Sequence, residues 1–266
     1  MAANQPEPGR VTTERRGHVF LIGLNRVAKR NAFDTAMFQA IGAAYAELEH
    51  DPELRCGVLF AHGDHFTGGL DLANVAPDMD KGVIADLKPG TLDPYGLHEP
   101  RLTKPLICAV QGICLTVGIE LLLSSDIRIA ASNVRFAQIE VKRGLYPSGG
   151  PTIRFVREAG WGNAMRYLLT GDDFNAQEAM RMGLVQEIVE PGQQLARALE
   201  FAEKISAQAP LAVYTTLAAS RRALLEGETA AVGRLHTDQQ PLLQTEDFKE
   251  GVQSFIERRT ANFKGR

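Results

Sequence analysis

Along the 266-residue chain the spacing of apolar positions changes in an orderly way. "RVTTERRGHVFLIGLN" reads as two short strands joined by a turn at Arg16 and Gly17, with Val19, Leu21 and Leu24 among the apolar positions. In "DTAMFQAIGAAYAELEHD" the apolar residues Met37, Ile41, Ala44 and Leu48 recur at helical spacing behind Asp34, a suitable N-cap. "CGVLFAHG" is then a buried strand, and the succession strand, turn, helix, strand predicts an α/β fold with crossover connections. "PLICAVQG", "DIRIAA" and "VRFAQIEV" supply further strands, and "GICLTVGIELLLSSD" a buried helix opened by Gly118. From Gly150 onward helices dominate, from "PTIRFVREAG" to "EDFKEGVQSFIERR", with no repeat of fixed length.

One stretch breaks this order. Between Val75 and Pro105 the chain carries Pro77, Pro89, Pro94, Pro100 and Pro105 among scattered charges, which predicts a long irregular segment. Such a segment in a compact domain is mobile or functional, and beside a site it would serve as a lid.

Composition narrows the function classes. With 44% hydrophobic and 23% charged residues the chain is that of a globular protein able to bury a sizeable core. A net charge of -3 argues against a broad attraction to nucleic acid or an anionic membrane. Cys56, Cys108 and Cys114 lie in apolar surroundings and suit buried reduced thiols better than a disulfide framework. The start "MAANQPEPGR" has no basic segment followed by an apolar run, and no stretch reaches the ~18 residues of a membrane span, so a cytoplasmic enzyme or binding protein is expected.

Two places share one physical outline, an apolar strand, a Gly-containing turn and a helix start. In "VLFAHGDHFTGGLDLANV", Gly68 and Gly69 precede Leu70, and Asp71 begins a helical turn; in "ICAVQGICLTVGIELLL", Gly118 opens the helix. Free backbone N–H groups at such starts bind anions, and two turns face to face would hold one oxyanion from both sides. Phosphate-loop, dinucleotide and nucleophile-elbow patterns fail: Gly69 stands where a phosphate loop needs Lys, no G-x-G-x-x-G follows a strand, and "YPSGG" lacks G-x-S-x-G. His18, His50, His62, His65, His98 and His236 form no metal-ligand pattern; His62 and His65 flank the first turn and read as loop or packing residues.

Glu120 stands out because Ile119, Leu121, Leu122 and Leu123 make its helix apolar on every side. A carboxyl group buried there has a raised pKa, unless it is an acid favoured by the helix dipole and paired with a base such as Arg128. Glu140 ends "VRFAQIE", where a strand leaves the core for the loop "GLYPSGG". Two carboxylates reaching one apolar cavity push their pKa values apart and give one acid and one base near neutral pH.

The blocks "LNRVAKRNAF", "HFTGGLDL", "ICAVQGICLTVGIELLLSSDIRIA", "VRFAQIEVKRGLYPSGG", "LLTGDDFNAQEAMRMGLVQEIV" and "TEDFKEGVQSFIERRTANF" resemble, in order, those of the crotonase superfamily and within it the enoyl-CoA hydratases. The resemblance implies a spiral of ββα units over residues 1–195 and a C-terminal helical region over 196–266 used in trimerisation, giving a homotrimer or homohexamer. It implies an acyl-CoA thioester as ligand, bound near Lys29, Arg30, Ala61, Gly68, Asp71 and Gly118, with no cofactor beyond the coenzyme A of the substrate. It puts the oxyanion-hole N–H groups on Leu70 and Val117, and catalysis on Glu120 and Glu140. Water would add across a 2-enoyl thioester, Glu120 deprotonating the water and Glu140 protonating the α-carbon. Enoyl-CoA isomerase, acyl-CoA hydrolase and a non-catalytic RNA-binding or scaffold relative are the alternatives within the resemblance. One departure is plain: the usual Gly-Gly-Gly run is Thr116-Val117-Gly118, so an allowed backbone at Val117 and a narrower or shifted acyl pocket are expected.

Overall fold

The computed structural model describes residues 10–77 and 87–266. The first apolar pattern becomes a hairpin, β1 (Val11–Arg16) and β2 (Val19–Leu24), turning at Gly17. Helix α1 (Thr35–His50) follows, and the Asp34 side chain caps it by accepting the Met37 N–H. With β3 (Cys56–Ala61), β4 (Leu106–Val110), β6 (Ile127–Ala131) and β9 (Glu187–Val189), the hairpin builds a six-stranded sheet in the order β1-β2-β3-β4-β6-β9. Only β1 runs antiparallel to its neighbour. Strands β5 (Ile113–Leu115), β7 (Arg135–Ala137) and β8 (Asp173–Asn175) form a second, three-stranded sheet.

The inner strands of the large sheet, β2, β3, β4 and β6, are buried on both faces, as near-continuous apolar strands require. Alternate residues point to opposite sides. Phe20, Ile22, Leu24, Cys108 and Val110 face the main core with Met37, Phe38 and Ile41 of α1. Val19, Leu21, Val58, Ile107 and Ala109 face the other way, onto α7 (Gln194–Ser206). That helix presents Ala198 and Ala202, whose small side chains let it lie close to the strands. Residue 195, the expected end of the catalytic core, therefore falls inside a helix that is packed on the sheet.

The helix bearing Glu120, α3 (Val117–Ser124), is buried from Val117 to Leu123 and joins the main core. It begins one residue earlier than the glycine predicts. Between β3 and β4 lies a one-turn helix, α2 (Leu72–Val75). Past β7 the chain continues through α4 (Pro151–Ala159), α5 (Trp161–Thr170) and α6 (Ala176–Arg181). Beyond α7 come α8 (Pro210–Glu226), α9 (Glu228–Val232), α10 (Leu235–Gln239) and α11 (Glu246–Glu257). No helix among the described residues is long and apolar enough to cross a membrane. All three cysteines are buried and unpaired.

Two expectations change. "VRFAQIEV" is a strand only over Arg135–Ala137, because its neighbours β5 and β8 run out there and the ladder has no partners beyond Ala137. Glu140 instead opens a 3-10 turn over Glu140–Arg143. The Pro-rich segment, part of which lies outside the described residues at 78–86, is anchored in the core at residues 92–95 and at Leu102, Lys104 and Pro105, while residues 97–100 stay exposed. Leu92 N–H donates to the Gly42 carbonyl of α1 at 3.1 Å, an approach so close that a Cβ on Gly42 would meet the Leu92 carbonyl. Asp93 then accepts the N–H groups of Tyr95, Leu97 and His98 at 2.9, 2.8 and 3.0 Å. Arg154 of α4 holds the Tyr95 and Gly96 carbonyls from the other side.

At the end of this segment Lys104 is buried and donates to the carbonyls of Leu48, Asp51 and Leu54, closing the C-terminus of α1. Replacing its ammonium with a thioether leaves those carbonyls without their donor. Lys104→Met is therefore expected to lower stability by about 2 kcal/mol or more, read as a fall in the midpoint of denaturant or thermal unfolding.

Candidate active site

The two Gly-containing turns do meet. Thr67, just before Gly68, forms an isolated parallel bridge with Cys114: its N–H donates to Ile113 O at 3.0 Å and its carbonyl accepts Leu115 N–H at 3.1 Å. Around the first turn the amides are consumed one by one. Gly68 N–H goes to Arg30 O, Gly69 N–H to the Thr67 hydroxyl, and Asp71 N–H to Phe33 O. Leu70 N–H is left without an acceptor among the described residues. In the second turn Thr116 N–H donates to Ala137 O, while Ile119 and Glu120 N–H return to Thr116 O. Val117 and Gly118, at the start of α3, keep free N–H groups, as the first positions of a helix do.

Gly118 sets the spacing between the turns. A Cβ there would come within 2.7 Å of Thr67 Cγ2 and 2.8 Å of Cys114 Sγ, so a larger residue would push the turns apart. Val117 causes less difficulty than its position suggests: it takes helical backbone, and its isopropyl group lies in the main core, 1% exposed. The strained residue is Thr116, with φ 45° and ψ -105°.

Glu120, 5% exposed, points from the first turn of α3 to Gly149, whose N–H it accepts at 2.9 Å. Gly149 has no alternative here, since a Cβ would overlap the Glu120 carboxyl group. Burial raises the Glu120 pKa, and hydrogen bonds from the Tyr95 hydroxyl and Gly149 offset only part of the rise. The alternative pairing with Arg128 is absent: that guanidinium donates to Glu158 at 2.9 Å.

Glu140 accepts Gln138 Nε2 through Oε1 at 3.1 Å, and its Oε2 is buried without a partner. Burial pushes its pKa up to about 7, its own backbone N–H works against the rise, and the nearby negative charge of Glu120 adds to it. The two acids thus lie near enough to feel each other, one fixed by a backbone amide and the other poised to titrate near neutrality.

The remaining predicted residues frame this centre. Ala61 ends β3, and its carbonyl is held by Gln111. Lys29 and Arg30 are exposed on the loop whose Arg30 carbonyl receives Gly68 N–H. Asp71 turns its carboxylate to Arg26 at 2.8 Å and Asn74 at 2.7 Å. Burial would raise its pKa, but these two donors outweigh burial and leave it lowered. His62 bonds Thr12 and His65 accepts Ile113 N–H, so both are loop-packing residues. Sequence reasoning missed Tyr95, Gln138 and Gly149. Only Gly149 left a trace, in the Gly-Gly pair after Ser148.

Comparison with known proteins identifies the family. The family model for enoyl-CoA hydratase/isomerase matches residues 14–266. An enoyl-CoA hydratase of Mycobacterium tuberculosis is 39% identical over 258 residues, 95% of this chain and 96% of its own. A short-chain-enoyl-CoA hydratase of Clostridium acetobutylicum is 34% identical over 95% of this chain and 97% of its own. Among solved structures, a probable enoyl-CoA hydratase/isomerase from Mycobacterium abscessus superposes with a TM-score of 0.93 at 48% identity, covering 97% of this chain and 99% of that one. Free amides on two touching turns, two buried acids and a likeness that runs nearly end to end lead to one assignment: the chain belongs to the enoyl-CoA hydratase/isomerase family of the crotonase superfamily.

Proposed function

We propose that this protein is an enoyl-CoA hydratase that adds water syn across the double bond of a 2-enoyl-CoA thioester. The observation that carries the reading is the pair of buried carboxyl groups with raised pKa values beside two turns with unfilled amides. The Leu70 and Val117 N–H groups receive the thioester oxygen as negative charge develops on it. Glu120, ionised and held by Gly149, takes a proton from the water that attacks the β-carbon. Glu140, protonated, delivers a proton to the α-carbon, and the reverse reaction exchanges the tasks. This chemistry asks for no cofactor, coenzyme A being part of the substrate. Lys29 and Arg30 offer exposed positive charge for its phosphates, next to Ala61, Gly68, Asp71 and Gly118 around the oxyanion turns.

The C-terminal helices support an assembly of subunits. Leu224, Leu225, Val232, Leu235, Val252 and Phe255 stay exposed, Phe255 by 85%. So much uncovered apolar surface supports the reading that the helical region from 196 onward joins subunits as a trimer or a dimer of trimers, with α7 staying on the core of the ββα spiral. Three buried free thiols suit a reducing cytoplasm.

The reading is tested by loss of the conjugated thioester absorbance over a panel of 2-enoyl-CoA chains. Wild type hydrates at least one, and Glu120→Gln and Glu140→Gln each lower kcat by about 10²–10⁴-fold. Migration of the double bond without hydration would make isomerase the better description. Gly149→Ala, which displaces the Glu120 carboxyl, is expected to cost about 10²-fold in kcat while thermal unfolding stays cooperative.

The pH profile has a defined sign. Glu140 must be protonated to act as the acid, so hydration falls as pH rises through about 7. Its raised pKa also disfavours the folded state as the group ionises: stability is lost between its unfolded value, near 4.5, and about 7. Glu140→Gln therefore unfolds at a higher temperature than wild type at pH 8, and the gap closes below pH ~4.5. Light scattering in line with gel filtration is expected to give three or six chains, and Phe255→Glu fewer.

A further inference from the structure

The residue before Val117 carries two unrelieved costs. Thr116 is β-branched, yet it sits at φ 45° and ψ -105°, a backbone region that glycine tolerates and threonine resists. Its Oγ1 is buried without a hydrogen-bond partner among the described residues, which is a cost in itself. The side chain does not cap α3 either. Nothing among the described residues uses this hydroxyl.

Its location says what would. A Cβ on Gly69 would overlap Thr116 Oγ1, so the hydroxyl lies against Gly69 across the gap between the two turns. Gly69 and Thr116 are the residues directly before Leu70 and Val117, whose amides are unfilled. The hydroxyl thus belongs to the residue before one free amide and rests against the residue before the other, in space that glycine at position 116 would not fill. An O–H swings about its C–O bond without moving any heavy atom, so it can follow an oxygen whose charge and position change during reaction.

We propose that the Thr116 hydroxyl is a third hydrogen-bond donor to the thioester carbonyl oxygen, making the oxyanion hole of this protein two amides and one hydroxyl. The proposal rests on the hydratase reading above. The hydroxyl keeps its proton throughout, while the proton added at the α-carbon comes from Glu140. The donor matters most when the oxygen carries most charge, so it lowers the barrier more than it tightens substrate binding. Backbone strain at Thr116 is then the cost of aiming a side chain where two amides already converge.

Three variants separate the hydroxyl from the strain. Thr116→Val keeps shape and β-branching but removes the hydroxyl, Thr116→Ser keeps the hydroxyl, and Thr116→Gly removes it and relieves the backbone. The proposal expects kcat for crotonyl-CoA hydration to fall about 10²-fold in the Val and Gly variants with KM nearly unchanged, and Ser to stay close to wild type. Gly should unfold at a higher temperature than wild type while losing activity, which a purely structural role for Thr116 would not produce.

A second readout does not depend on turnover. The infrared carbonyl band of crotonyl-CoA labelled with carbon-13 at C1 is compared for complexes in a Glu120→Gln, Glu140→Gln background. With Thr116 or Ser the band shifts to lower frequency than with Val or Gly. Equal bands and equal rates in Thr and Val enzymes would overturn the proposal. If wild type polarises the bound thioester but does not hydrate it, the hydratase reading fails, and the band comparison still decides the role of Thr116. If wild type does not polarise it, both fall.

Discussion

Keeping two carboxyl groups out of water is the constraint around which the rest of this molecule is arranged. A buried acid stays protonated or needs hydrogen bonds that stabilise its charge, and the chain supplies the two acids with different amounts of help. Glu120 receives a backbone amide from Gly149 and the Tyr95 hydroxyl. Glu140 receives one amide side chain and keeps an oxygen unfilled. That inequality leaves the two charged forms unequally stabilised, and it is produced by packing: an apolar helix beneath one acid and a short 3-10 turn beneath the other.

The two Gly-containing turns obey a second, purely steric rule. They belong to chain segments distant in sequence and are coupled by the pairing of Thr67 with Cys114. Neighbouring amides are used up in holding the loops, and the few left over define the site. Gly118 permits the approach and Thr116 fills what remains of the gap.

Much of the frame was legible because its causes are local. Asp34 caps α1, and the strands alternate their side chains as their apolar runs imply. Glu120 was conspicuous because its neighbours on every side of the helix are apolar. Other features depend on partners far away in sequence. "VRFAQIEV" stops being a strand at Ala137 because its neighbours end there, not because of its composition. Tyr95 lies in a Pro-rich stretch with no period, and what brings it to Glu120 is the chelation of backbone by Asp93 and Arg154. Attention to Val117 was displaced by one residue, since backbone strain is a property of φ and ψ rather than of residue type.

The Asp93 carboxylate has a consequence for how this site can diverge. Three constraints on irregular backbone, at Tyr95, Leu97 and His98, are met by a single side chain rather than by pairing with a neighbouring strand. The segment is therefore held by Asp93 from within and Arg154 from outside, and its exposed residues can change in chemistry without disturbing the tyrosine it holds. The structure separates a fastened interior from an exposed margin within one loop. Such modularity lets a single catalytic arrangement be fitted with different rims.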